Sequence, residues 1–127
     1  MALDSGVVYV SYATGGAGGA ANAFTLCTIS ANRRMTRVAS ANAHPDGVFY
    51  EAPTAAGDIV PIADWRRSSS LRVRAGGAIT DSHFVKAAND GEVVSDGASG
   101  SANSIGKCIG GGAANEIVQI VPIERYA

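Results

Sequence analysis

Leucine is nearly missing from this chain, three residues in 127, against 21 valines and isoleucines. Side chains branched at Cβ lose rotamer freedom in a helix and pack well on a pleated sheet, so the scarcity argues against a helical bundle and for a mostly β protein. No stretch approaches the ~18 apolar residues of a membrane-spanning helix, and Met1-Ala2-Leu3-Asp4 lacks the basic start and apolar run of a secretion signal. The expectation is a soluble protein assembled in the cytoplasm, with no membrane partner. A net charge of −1 gives no global pull toward nucleic acid or an anionic membrane. Cysteine occurs only as Cys27 and Cys108, distant from each other and from any CxxC pair. Without an export signal they are expected to be reduced, buried thiols; a disulfide would need an oxidising compartment. Neither metal-ligand spacing nor a nucleophile-elbow pattern occurs, so no catalytic, cofactor-binding or metal-binding residue is assigned.

What the chain does contain is punctuation. Strand candidates fall at residues 7–12, 24–30, 35–39, 48–51, 59–62, 71–74, 84–87, 92–95, 105–109 and 116–123, separated by turn clusters such as Pro45-Asp46-Gly47, Asn89-Asp90-Gly91 and Asp96-Gly97. About ten short strands without an amphipathic helix predict a compact β-barrel or β-sandwich, all-β, in one domain spanning residues 1–127. Pro61 and Pro122 interrupt good strands; having no N–H to give a ladder, each is expected at an edge or a bulge. Residues 14–23 are nearly all Gly and Ala, a loop able to approach another surface closely, and residues 95–103 read as a mobile surface loop.

The sequence also repeats itself. Ala55-Ala56-Gly57-Asp58-Ile59-Val60-Pro61-Ile62 returns as Ala113-Ala114-Asn115-Glu116-Ile117-Val118-Gln119-Ile120, although Ile59-Val60-Pro61-Ile62 also matches Ile120-Val121-Pro122-Ile123. Phe24 and Phe84 look like matching strand starts, and Gly47 and Gly106 precede matching apolar stretches. An internal repeat of residues 24–63 in 84–123, giving two similar halves, is expected.

Two motifs invite a nucleotide and are declined. Gly16-Ala17-Gly18-Gly19-Ala20-Ala21 fits a dinucleotide fingerprint, but a strand pattern follows it where a helix is needed, and no acid stands between Asp4 and Asp46 to hold a ribose. Gly106-Lys107 lacks the correctly spaced upstream glycine, and Cys108 stands where a phosphate loop needs Ser or Thr. His44, beside Pro45, is expected in solvent, and His83 at a strand start. The strongest interaction signal is Trp65-Arg66-Arg67-Ser68-Ser69-Ser70-Leu71-Arg72-Val73-Arg74. Alternation sets Leu71 and Val73 on one strand face and Arg72 and Arg74 on the other. Trp65, Arg66, Arg67, Arg72 and Arg74 are the expected docking residues, with Arg33, Arg34 and Arg37 as an extension if the fold joins the segments. The competing expectation is a solvated basic strand with Trp65 in the core.

Two stretches resemble the small capsid decoration, or cement, proteins of tailed bacteriophages: Phe84-Val85-Lys86-Ala87-Ala88-Asn89-Asp90-Gly91-Glu92-Val93-Val94, and Gly106 followed by Ala113-Ala114-Asn115-Glu116-Ile117-Val118-Gln119-Ile120. At position 115, usually glycine in that family, this chain has Asn, which tolerates left-handed geometry. The resemblance implies an all-β virion protein without cofactor or catalytic residue. It would be present in many copies as a dimer or trimer, bound to the major capsid protein on the outer capsid surface, over junctions between its subunits. The alternatives are a fibre base, a carbohydrate-binding module and a nucleic-acid-binding barrel, with an enzyme last.

Overall fold

The computed structural model describes residues 9–13, 23–29, 34–51 and 59–123. The glycine motif at 16–21, most of the loop at 14–23, Arg33 and residues 55–58 of the first repeat lie outside them. The described residues build ten strands and no helix: β1 (Tyr9–Ala13), β2 (Leu26–Ile29), β3 (Met35–Arg37), β4 (Gly47–Phe49), β5 (Ile59–Asp64), β6 (Leu71–Arg74), β7 (Phe84–Ala87), β8 (Val93–Ser95), β9 (Gly106–Ile109) and β10 (Ile117–Pro122). They pair into two antiparallel five-stranded sheets, ordered β1-β5-β4-β2-β3 and β6-β10-β9-β7-β8. Both sheets thus follow one plan: first strand, fifth, fourth, second, third.

The match extends to register. Leu26–Ile29, Met35–Arg37 and Ile59–Asp64 take the places of Phe84–Ala87, Val93–Ser95 and Ile117–Pro122, all at the sequence displacement that sets Ile59 on Ile117. Hydrogen bonds beyond the ladders correspond as well. Val38 N–H donates to Leu26 O at 2.9 Å as Asp96 N–H does to Phe84 O at 2.7 Å, and Trp65 N–H to Asp46 O at 3.1 Å as Ile123 N–H does to Ile105 O at 3.0 Å. One expected pairing differs: Phe24 sits in a turn with φ 59, so Leu26, not Phe24, is the counterpart of Phe84.

Adjacent strand residues point to opposite faces, and in β2, β4 and β5 of the first sheet both faces carry buried residues. Leu26, Val48 and Ala63 join the main core, while their neighbours Cys27, Phe49 and Ile62, with Met35 and Val60, form a second cluster on the other side. The second sheet contributes Leu71, Val73, Val85, Ala87, Val93, Cys108, Val118 and Ile120 to the main core. Ala75 bridges Val93 in parallel, linking the ends of the edge strands β6 and β8, so this sheet curls toward closure. The first sheet packs over it through main-chain bonds as well as apolar contacts. Arg74 N–H donates to Phe24 O at 2.8 Å, Leu26 N–H to Gly91 O at 2.7 Å and Asn42 N–H to Ala87 O at 3.0 Å. The Tyr50 hydroxyl accepts the Arg72 N–H at 2.8 Å.

Three local expectations need correction. Pro61 and Pro122 lie in β5 and β10, neither of which is an edge strand. Each instead falls where one neighbouring ladder has ended: the β4 ladder reaches only the Phe49–Ile62 pair, and the β6 ladder stops at Ile120. Gly47 is not a turn residue but a strand residue. The loop at 95–103 is tied down, because Asp96 accepts hydrogen bonds from Ser101 Oγ at 2.7 Å and Ser104 Oγ at 2.5 Å and meets Lys86 Nζ at 3.7 Å. Burial raises the Asp96 carboxyl, but those hydroxyls and the Lys86 charge outweigh it and hold it below the ordinary range.

Candidate functional site

The arginine segment divides three ways. Trp65 is 4% exposed and belongs to the main core, so the expected docking face loses its aromatic; packing took the ring. Arg66 and Arg67 are exposed in a turn that Asp64 shapes, its Oδ1 accepting both backbone N–H groups at 2.9 and 3.1 Å. Arg72 and Arg74 alternate with Leu71 and Val73 and leave the outer face of β6, as the period of two requires. Arg37 ends β3 in the other sheet and Arg34 precedes that strand, and only Arg37 is brought to Arg74.

Those two arginines meet in a cleft of about 280 Å³ lined by Arg37, Arg74, Asp90, Glu92 and Asn115. Arg37 ends β3, Arg74 ends β6, Asp90 and Glu92 flank Gly91 between β7 and β8, and Asn115 precedes β10. The turn brings its acids close because Gly91 has φ +81 and no Cβ; a Cβ there would lie 2.7 Å from Arg37 Cγ. Asn115 takes φ 68, the left-handed geometry expected of it, and its carbonyl accepts from an Arg74 terminal nitrogen at 3.5 Å. Arg74 Nε is buried without a hydrogen-bond partner.

Asp90 and Glu92 share a hydrogen bond, which holds the Asp90 carboxyl low. Burial, that same bond and the Asp90 charge push Glu92 up to about 6, against the pull of Arg74 and Arg37. Because the folded state raises Glu92 above its ordinary 4.5, this group favours folding most below pH 4.5, and the benefit is lost as pH rises through 6. Asp90 stays ionised across that window. Urea titrations are therefore expected to show stability falling between pH 4.5 and 6.5 in the wild type, and Glu92→Gln is expected to flatten that slope. An unchanged slope in the variant would remove Glu92 as its source.

The cleft suits charge pairing better than catalysis. Asp90 and Glu92 stand on one tight turn, close enough to share a proton while Glu92 is protonated, whereas the acids of a glycoside hydrolase stand roughly 5 Å or more apart across a scissile bond. His83 Nδ1 lies 3.5 Å from Ser95 Oγ, long for a base and its nucleophile, and among the described residues no carboxylate bonds to His83. His44 is exposed. Cys27 and Cys108 are free and buried in different clusters, and burial raises both thiols, so neither is an activated nucleophile. Among the described residues no group of three His, Cys, Asp or Glu could hold a metal, and no helix is long and apolar enough to cross a membrane.

A broader basic surface lies beside the cleft. The five strands of the second sheet carry Arg72, Arg74, Lys86 and Lys107 and no acid. Each cation alternates with buried residues and so projects from the outer face. Lys107 Nζ sits 5.4 Å from the centroid of the Phe84 ring. Ile109 and Ile117 share this face at 49% and 39% exposure. Lys86 and Lys107 are not among the expected docking residues because each is a lone cation in its strand; the available signal is a single lysine between two small or apolar residues in Val85-Lys86-Ala87 and Gly106-Lys107-Cys108.

The fold has a solved counterpart. The chain is similar to the structure of the head fiber gp8.5 N base in bacteriophage phi29, with a TM-score of 0.65 and 17% sequence identity over 95% of this chain and 98% of that one. At that identity the likeness concerns the fold. No family model and no curated protein matches the chain.

Proposed function

We propose that this chain is a non-catalytic structural protein of a phage virion. It binds the outer surface of the icosahedral head and stabilises contacts between major capsid protein subunits, as a dimer or trimer of identical copies. The observation that carries the reading is the near end-to-end likeness to a phage head-fiber base, reached independently of the sequence resemblance to decoration proteins. The basic outer face supports it as an adhesive surface. The repeat expected at 24–63 and 84–123 is two copies of one unit within a single domain, with its first copy set two residues later so that Leu26 matches Phe84 and Trp65 matches Ile123, a reading supported by the shared strand order and register. The same likeness favours a second form of this reading, in which the chain is the base of a longer head fibre. Arg66, Arg67, Arg72 and Arg74 are the proposed docking arginines.

Purified chain added to heads lacking it is expected to co-sediment in a saturable, fixed ratio per shell. Binding that never saturates, or none at all, would refute head attachment. Sugar recognition is less supported, because such sites usually stack on open aromatic rings. Trp65, Phe49 and Tyr50 are buried, and Phe84 has Lys107 over it.

A further inference from the structure

We infer that the outer face of the second sheet, centred on Lys107 and Ile109 and bounded by Arg72, Lys86 and Ile117, is the docking surface, and that its partner is an acidic protein surface with apolar residues between its carboxylates. This rests on the head-binding reading and specifies it further.

The argument starts from the correspondence of the two sheets. Leu26, Val48, Tyr50 and Ala63 occupy in the first sheet the places of Phe84, Lys107, Ile109 and Val121 in the second: Val48 pairs with Ala63 as Lys107 pairs with Val121. In the first sheet those four are 7% exposed or less and packed into the main core against the second sheet. In the second sheet the same face is open, with Lys107 exposed and Ile109 at 49%. A face that serves as an interface in one half is therefore presented outward in the other. It keeps apolar side chains at three of the four places and exchanges Val48 for Lys107. A further lysine, Lys86, stands where the first sheet has Thr28.

Charge selects the occupant. Of the four cations on these strands Lys86 meets Asp96 and Arg74 faces Asp90 and Glu92 in the cleft, so the charge at the centre of the face is that of Lys107 beside the Phe84 ring, and it favours a partner bearing carboxylates. A second copy meeting this face through a two-fold axis would set the same cations against each other. Nucleic acid would leave Ile109, Ile117 and Val121 facing phosphate, and the chain as a whole is at −1. A protein surface with mixed acidic and apolar character satisfies both parts of the face.

The test uses the full chain, heads prepared without it, and the exposed double substitution Lys107→Glu with Ile109→Asp. Lys107→Arg serves as the charge-keeping control, and thermal melts confirm that each variant folds. Should the double variant melt early, Lys107→Glu alone carries the test. Expected are at least tenfold weaker head binding by the charge-reversed protein, wild-type binding by Lys107→Arg, and wild-type binding that weakens with added salt but is untouched by nuclease. Wild type that binds while both charge-reversed proteins bind equally well would overturn the face and leave head attachment standing. Wild type that fails to bind would remove both. Nuclease sensitivity would assign the face to nucleic acid, and a change in the free protein's oligomeric state on Lys107→Glu would assign it to a second copy.

Discussion

Trp65→Ala is expected to destabilise the protein by about 3–5 kcal/mol, the usual loss for removing a large buried aromatic and leaving a cavity. Total stability for a chain of this size is roughly 5–15 kcal/mol, so the variant would be partly unfolded at modest urea concentrations. The ring sits at 4% exposure in the main core, and the loss is the ring's alone, because the backbone N–H of residue 65, which donates to Asp46 O at 3.1 Å, is kept in the variant. Arg66→Ala and Arg67→Ala next to it should each change stability by less than about 0.5 kcal/mol, since both side chains are exposed. Equilibrium urea unfolding of the three variants checks this. A Trp65→Ala protein as stable as wild type would mean the ring serves a surface and not the core.

Gly47→Ala and Gly106→Ala are expected to be about equally harmful, near 3 kcal/mol each, at the upper end of overpacking costs. A Cβ on Gly47 would lie 2.6 Å from Ala63 O and 2.7 Å from Ile62 Cγ2; on Gly106 it would meet Ile120 Cγ2 and lie 2.9 Å from Val121 O. The oxygens belong to neighbouring strands and cannot withdraw without moving a ladder. For a protein of this length such a loss lowers the melting midpoint by roughly 10 °C. The two sites lie in different sheets, so the double variant should show the sum of the losses. One substitution tolerated and the other damaging would break the correspondence of the two halves on which the docking face depends.

The strands were legible because β-branched residues and turn clusters mark them locally; 71–74 and 84–87 agree with β6 and β7 to the residue. What a residue does within its strand was harder to read. The end of β5 has buried residues on both faces, so alternation along Ile62-Ala63-Asp64-Trp65 separates two cores and not inside from outside. That is why the sequence leaves Trp65 open between a docking anchor and a core ring, and its burial agrees with the second. The prolines misled for a related reason: their missing N–H matters only where a neighbour's ladder is still running, which depends on pairing lengths invisible in the sequence. The cleft was beyond reach, since Arg74, Asp90, Glu92 and Asn115 meet only through the β6-β10 pairing and the Ala75–Val93 bridge, and Arg37 joins them only by the packing of one sheet on the other. The basic face was legible in half. Arg72 and Arg74 share a strand and showed their alternation, while Lys86 and Lys107 join them only through β7-β9 and β9-β10 pairing.

Image reconstruction of phage particles assembled with this chain present tests the proposed head-surface role most directly. A two-sheet body of this fold should stand on the outside of the shell in regular register with the capsomers, with Lys107 and Ile109 turned toward the capsid. Virions that lack the chain, or that hold it inside the shell, would contradict the reading.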